Sequence, residues 1–393
     1  MALPANLPPQ ARLGFEALQR GDPATAKTEL EHALAAQPGD ATVQLGLAMA
    51  CRDLGDQAAC GDWLDHLLSV QPRHFMALVM KADNLMALGR RQEAASYYQA
   101  VLAVAPPPHR QPPQIQQHVQ RAQRLSRELV ADYERHLRQA LAQRGFATAP
   151  DGPGRHSEAV DILFGRRQIF VQQPEQFFYP GLPNIQFYER RRFDWVAPLE
   201  RHTEAIAAEA AALVQDEAAF QPYLHAHGPR TRDTALHNNI DWSACYLVRD
   251  GNTIDANATR CPQTVAALQQ VPGFDLPGKG PSVLFSLLRP GARIEPHCGL
   301  MNVRLICHLP LIVPDGCTLR VGNETRRWRT GETLIFDDSI EHEAHNPSTQ
   351  RRIVLLFDIW RPDLGPDDRA FLAALFGAVD AYGAGQVNRQ APS

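Results

Sequence analysis

Two histidines and one arginine carry the chemistry most legible in this chain. His297 and His342 stand 45 positions apart (342 − 297), and Arg352 follows the second by ten (352 − 342). His297 ends the strand-like run Ala292-Arg293-Ile294-Glu295-Pro296-His297. His342 opens a short run after Phe336-Asp337-Asp338-Ser339-Ile340-Glu341, and Arg352 begins Ile353-Val354-Leu355-Leu356-Phe357. Neutral imidazoles suit a borderline divalent metal such as Fe(II), whereas a planar guanidinium grips a carboxylate at two points.

A metal and a carboxylate anchor on neighbouring strands of one small barrel are what a 2-oxoglutarate-dependent oxygenase needs. The common non-haem iron face uses two histidines and one carboxylate. That carboxylate normally stands two positions after the first histidine, where this chain has Gly299, which cannot ligate. Another residue, or water, would have to close the face. Cys298 is a soft candidate, but strand alternation turns it away from His297; His308 and His345 are the other imidazoles nearby. Lone histidines in strands are more often structural, and an arginine at a strand start is more often a surface charge. Arg352 shares its face with Val354 and Leu356, which turns it inward, where a cation requires an anionic partner.

The elements that must position these groups are short strands. After Gly280 the runs Ser282–Leu288, Ala292–His297, Arg304–Leu311, Cys317–Val321, Arg326–Arg329, Thr333–Phe336, His342–His345 and Arg352–Ile359 alternate with turn residues. Such a series predicts an antiparallel double sheet or jelly roll. Ahead of it, Phe177 to Pro183 is a turn-bounded aromatic cluster, and Ala197 to Gln215 reads as one alanine-rich helix with Pro198 in its first turn.

The first third of the chain repeats itself. Gly21, Gly55 and Gly89 are 34 apart, as are Pro38, Pro72 and Pro106; Ala26, Cys60 and Ala94; and Leu34, Leu68 and Leu102. A 34-residue period with glycine between two helices and proline after the second is the tetratricopeptide pattern, and about three such pairs are needed before each can bury its apolar face. Solenoids of this kind usually offer a concave face to a peptide. Pro106-Pro107-Pro108 and Pro112-Pro113 form a stiff joint, and Gln114 to Arg144 reads as a long polar helix that either caps the solenoid or packs on the following domain. The expected domains are 1–106 (repeats), 107–158 (joint and connecting helix), 159–378 (barrel) and 379–393 (tail).

Bulk properties narrow the function. The net charge of −4 and a pI near 6.4 give no electrostatic case for nucleic acid or an anionic membrane. Met1 to Pro9 lacks the basic start and apolar stretch of a signal peptide, and no run reaches the length of a membrane span. Seven scattered cysteines without a CxxC pair favour reduced thiols, hence a cytoplasmic location.

The run HCGLMNVRLICHLPLIVPDGCTLRVGNETRRWRTGETLIFDDSIEHEAHN, from His297 to Asn346, followed by Arg352 and Phe357-Asp358-Ile359-Trp360-Arg361-Pro362, resembles the aspartyl/asparaginyl β-hydroxylase family. The similarity is close from Ser282 to Pro362 and weaker back through Arg260-Cys261-Pro262 and Asp241-Trp242 to Phe177. The resemblance implies a double-stranded β-helix that uses Fe(II), 2-oxoglutarate and O2 to hydroxylate a C–H of a peptidyl or amino-acid-like substrate. It implies His297 and His342 as iron ligands, with no third carboxylate ligand, so that Gly299 becomes expected. It implies Arg352 and Ser286 at the distal carboxylate of 2-oxoglutarate, His308 near its metal-bound end, and Arg304 and Asp338 in the substrate pocket. Ile306 departs from the pattern, because the animal enzyme has a second arginine there; this puts recognition of an aspartyl side chain in doubt. The competing readings are a cupin-type enzyme with another metal, and a tetratricopeptide scaffold with an inert barrel.

Overall fold

Glycines in the left-handed region set the rhythm of the first third. In a computed structural model, which describes residues 7–152, 154–216, 219–223 and 239–387, Gly21, Gly55 and Gly89 adopt φ of +75°, +81° and +74°. Each lies between the helices of a pair: α1 (Pro9–Gln19) and α2 (Pro23–Ala36), α3 (Ala41–Asp53) and α4 (Gln57–Val70), α5 (Phe75–Ala87) and α6 (Arg91–Val104). Asp22, Asp40 and Asp56 accept hydrogen bonds from the first free amides of α2, α3 and α4. Ala26, Cys60 and Ala94 are buried where the helices of a pair approach, as their 34-residue column predicts. The third pair begins α6 at Arg90 without a side-chain cap.

Helix α7 (Pro113–Ala142) packs on the third pair: its Ala122 and Leu129 share one core with Leu85, Tyr98 and Val101. It therefore covers the end of the solenoid, which is one of the two roles its sequence left open. Helix α8 (Arg155–Leu163) is tied to α7 by a buried network in which Arg138 meets Glu134 at 2.8 Å and Asp161 at 2.6 Å. The chain divides into two compact units after Arg166.

The second unit is built on two antiparallel sheets. One has the order β1 (Phe187–Tyr188), β10 (Leu334–Phe336), β7 (Arg304–Ile312), β12 (Arg352–Trp360), β5 (Val283–Leu288), β3 (Trp242–Arg249), β2 (Gln221–Pro222), with β4 (Asn252–Thr253) on β3. The other has the order β6 (Arg293–His297), β11 (His342–His345), β8 (Thr318–Val321), β9 (Glu324–Arg327). Around them lie α9 (Val196–Glu200), α10 (Thr203–Val214), α11 (Asp255–Ala258), α12 (Pro262–Leu268) and α13 (Pro366–Val387). The double-sheet expectation is met, and seven of the eight strand expectations agree to within a residue.

Parity divides the larger sheet. Odd-numbered Leu305, Cys307, Leu309, Ile353, Leu355 and Phe357 face an apolar layer with Leu199, Ile206, Leu213 and Ala267 from α9, α10 and α12. Even-numbered Trp242, Leu284, Ile306, Phe336, Val354 and Leu356 face Ile294, Leu319, Val321 and Ala344 of the smaller sheet. The period-two alternation of side chains thus sends the even positions of β3, β5, β7, β10 and β12 into the space between the sheets, except where bulges turn Val248 and Ile312 to the helix side and Trp360 joins a separate cluster.

Three expectations need correction. The helix expected over Ala197–Gln215 is two helices, α9 and α10, because Thr203 Oγ1 donates to the Glu200 carbonyl at 2.6 Å and closes α9. The strand expected at Arg326–Arg329 is β9 (Glu324–Arg327): the Gly322-Asn323 turn, with Gly322 at φ +55°, pairs Val321 with Glu324, and Trp328 leaves the strand to be buried. Helix α13 runs to Val387, through the position where the tail was expected to begin, and anchors through Leu372, Ala373 and Phe376 on Trp360 and Leu364.

Candidate active site

His297 closes β6 and His342 opens β11, and the two are direct cross-strand partners. Their ring centroids are 4.2 Å apart. Nδ1 of His297 lies 2.7 Å from the Glu295 carbonyl, and Nδ1 of His342 lies 3.1 Å from the Ile340 carbonyl. A carbonyl only accepts, so each Nδ1 carries the proton and donates it, and each Nε2 keeps its lone pair. Burial depresses the pKa of both rings, and in His342 the neighbouring His297 depresses it further. The product is a pair of neutral imidazoles with fixed tautomers, the form in which histidine binds a metal.

Arg352 starts β12 on an even position and is only 1% exposed. Its Nη1 donates to the Ser286 carbonyl and to Ser286 Oγ, both at 3.3 Å, and its guanidinium stacks over Trp328 at 4.8 Å. No carboxylate pairs with it among the described residues, and Nε has no partner. Burial pushes its pKa down to about 10. Two other inward arginines of the unit differ: half-buried Arg304 meets Asp358 at 2.8 Å and Asp338 at 3.5 Å, and buried Arg361 meets Asp337 at 2.8 Å. A buried, unpaired cation is costly, so Arg352 is suited to an anion supplied from outside the chain.

Contacts between side chains close a circuit that links these two centres. Trp242 lies 5.8 Å from the His297 ring and donates from Nε1 to Ser286 Oγ at 3.3 Å. Ser286 leads to Arg352 and Arg352 to Trp328, which lies 5.8 Å from His308. His308 meets Phe336 at 5.0 Å, and Phe336 returns to His342 at 5.5 Å. His308 is buried with Nδ1 unpartnered, and burial together with the charge of Arg352 holds it neutral. The circuit is aromatic except at its two polar ends, so it can exclude water while holding a metal at one end and an anion at the other.

Arg304 and Asp338 occupy each other at the edge of this space. Asp338 is buried, its Oδ1 has no partner, and burial raises its carboxyl pKa to about 6. Asp338 also explains Gly299: a Cβ at that position would lie 2.0 Å from Asp338 Oδ2. The place where a third, carboxylate ligand normally stands is closed to any side chain while Asp338 holds its position. Ile306 points inward between Arg304 and His308 on β7 and is buried. Cys298 is half-buried with its thiol pushed up to about 11, and exposed His345 pairs with Arg293, away from His342. Among the described residues no set of three His, Cys, Asp or Glu side chains surrounds a common point.

Trp242 and Trp328 are the site residues that sequence reasoning passed over. Trp242 shares even parity with Ser286 and Arg352, a signal available once β3 is recognised; nothing in the spacing links Trp328 to Arg352.

Residues 200–362 match the family model for aspartyl/asparaginyl beta-hydroxylase, and residues 77–108 match that for the tetratricopeptide repeat. Residues 200–362 are thus similar to an aspartyl/asparaginyl beta-hydroxylase domain. The chain is 33% identical over 211 residues to aspartate beta-hydroxylase domain-containing protein 2 of Xenopus tropicalis, covering 52% of this chain and 55% of that protein. It is 34% identical over 182 residues to human aspartyl/asparaginyl beta-hydroxylase, covering 46% and 23%. It is 32% identical over 191 residues to the ornithine lipid ester-linked acyl 2-hydroxylase of Rhizobium tropici, covering 48% and 65%. The matched part thus spans about half the length of the Xenopus relative. A solved structure, the first tetratricopeptide domain of Spaghetti (RPAP3) bound to an HSP90 peptide, aligns with a TM-score of 0.26 and 16% identity over 29% of this chain and 90% of that one. No helix among the described residues is long and apolar enough to cross a membrane.

Proposed function

We propose that the second unit is an Fe(II)- and 2-oxoglutarate-dependent dioxygenase that hydroxylates a C–H of a peptidyl or amino-acid-like substrate. The observation that carries this reading is Arg352: a buried guanidinium without a carboxylate, joined through one ring of side chains to two neutral imidazoles 4.2 Å apart. The chemistry of the donor set fits the cofactor. His297 and His342 would hold Fe(II) through Nε2, and the Glu295 and Ile340 carbonyls fix both rings by accepting from Nδ1. When bound with 2-oxoglutarate and O2, such an iron supplies the oxidising power for C–H hydroxylation.

The chain's own residues do the rest. Arg352 and Ser286 would hold the far carboxylate of 2-oxoglutarate by charge-assisted hydrogen bonds. His308, kept neutral by burial, offers Nδ1 to the same ligand without adding charge. Trp242, Trp328 and Phe336 exclude water, which strengthens each polar contact inside. Arg304 and Asp338 present an unpartnered Nε and an unpartnered Oδ1, a complementary donor and acceptor for the substrate. Ile306 between Arg304 and His308 adds apolar surface there, so the pocket grips an acidic side chain less strongly than one with two arginines. The repeats would dock a peptide or protein partner, and a cytoplasmic location follows from the cysteine pattern.

Differential scanning fluorimetry tests the reading. Fe(II) or the redox-silent Mn(II), added with 2-oxoglutarate, is expected to raise the melting temperature of the wild type and to leave His342→Ala unmoved. Equal shifts in both proteins would exclude the assigned ligands.

A further inference from the structure

The free edges of the two sheets, β1 on the larger and β9 on the smaller, border an open cleft of about 330 Å³. Four arginines line it: Arg190, Arg326, Arg327 and Arg329. Two are held by carboxylates. Arg190 meets Glu200 at 3.0 Å and Glu332 at 3.9 Å, and Arg326 meets Glu324 at 2.6 Å and Glu189 at 2.9 Å. Arg327 and Arg329 are exposed and make no ion pair among the described residues, so the uncompensated charge of the cleft is theirs. This concentration of positive charge stands on a chain whose net charge is −4. It attracts anions locally, against the field of the whole molecule.

The backbone says what shape of anion fits. β9 pairs with β8 on one side and, among the described residues, with no strand on the other, so its outer row of amides and carbonyls is open there. Arg327 ends β9, and Arg329 stands two positions further on, beyond the buried Trp328, where its backbone pairs with Glu332 across a turn. We propose that this edge docks an acidic peptide in extended form, which adds as a strand along β9 and continues past its end into the cleft, setting Asp or Glu side chains against Arg327 and Arg329. Strand addition supplies affinity through the main chain, and the arginines select acidic sequence. The proposal concerns binding alone and stands without iron or 2-oxoglutarate.

The test is fluorescence anisotropy of a labelled peptide with aspartate at every second position and threonine between, titrated with the full chain and no metal. Saturable binding is expected that weakens with added salt and falls about tenfold or more in R327A/R329A. The same peptide with N-methylated backbone amides is expected to bind at least as poorly. The proposal is overturned by an absence of saturable binding, by equal affinity of the double variant, or by equal affinity for the N-methylated peptide. Displacement by inorganic pyrophosphate at matched charge would also overturn it, since the cleft would then be a small-anion site.

Discussion

At the scale of single residues, the site is defined by what is left without a partner. Arg352 buries a charge that no carboxylate among the described residues neutralises, so replacing it by a neutral side chain of similar length should not harm the ligand-free protein. Arg352→Met is expected to unfold within about 1 kcal/mol of the wild type, or above it, while losing stabilisation by 2-oxoglutarate; chemical denaturation with and without the ligand measures both. A large loss of stability without ligand would show that the guanidinium has a structural partner. Asp338 gives a pH signature. Its folded pKa of about 6 lies above the unfolded value of 3.8, so the stability linked to its proton is complete below 3.8 and is lost as pH rises through about 6. Asp338→Asn removes that slope, and the difference in melting temperature between variant and wild type should grow in favour of the variant from pH 4 to pH 7. A constant difference would contradict the burial of the free carboxyl. Gly299→Asp restores the missing carboxylate of the usual iron face but drives its Cβ to 2.0 Å from Asp338 Oδ2. It is expected to cost roughly 1–3 kcal/mol, recovered in G299D/D338G, with denaturation midpoints as the readout. The candidate ligands were legible in sequence because they sit at strand ends. That Glu295 and Ile340 would fix their tautomers was not legible, because it depends on how each backbone turns after Pro296 and after Ile340.

At the scale of elements, the sequence was clearest where one physical rule acts alone. The glycine columns are left-handed turns: Gly55 stands at φ +81° with no atom within 4 Å of its absent Cβ, so only conformation excludes a side chain there. Gly55→Ala should therefore cost about 1–2 kcal/mol without disturbing packing, seen as a lower melting temperature with unchanged helical circular dichroism. No change would mean that the inter-helix turn tolerates an L-residue. Strands β5, β7 and β12, buried on both faces, were readable as apolar runs bounded by turn residues, whereas β3 was passed over. Its sequence, Trp-Ser-Ala-Cys-Tyr-Leu-Val-Arg, also meets both layers, Cys245 and Leu247 the helices and Trp242 and Ala244 the smaller sheet, but Ser243, Tyr246 and Arg249 interrupt its apolar run. β9 was set two residues late because the Gly322-Asn323 turn, a recognised hairpin signal, fixes its register and Trp328 is drawn inward afterwards.

At the scale of the whole molecule, helical repeats and a two-sheet domain each have their own core, and the chemistry belongs to the second. Its logic is a division by parity: odd positions build the apolar layer beneath the helices, and even positions build the space between the sheets, where imidazole, hydroxyl and guanidinium meet. The central claim is that His297, His342 and Arg352 act on one pair of ligands, iron and 2-oxoglutarate. Its most direct test is succinate release from 2-oxoglutarate by the full chain in the presence of Fe(II) and O2, without added substrate. The account predicts slow turnover that requires both iron and oxygen and is abolished in His342→Ala and in Arg352→Met. Succinate released at the wild-type rate by either variant, or no turnover under any metal and oxygen condition, would contradict it.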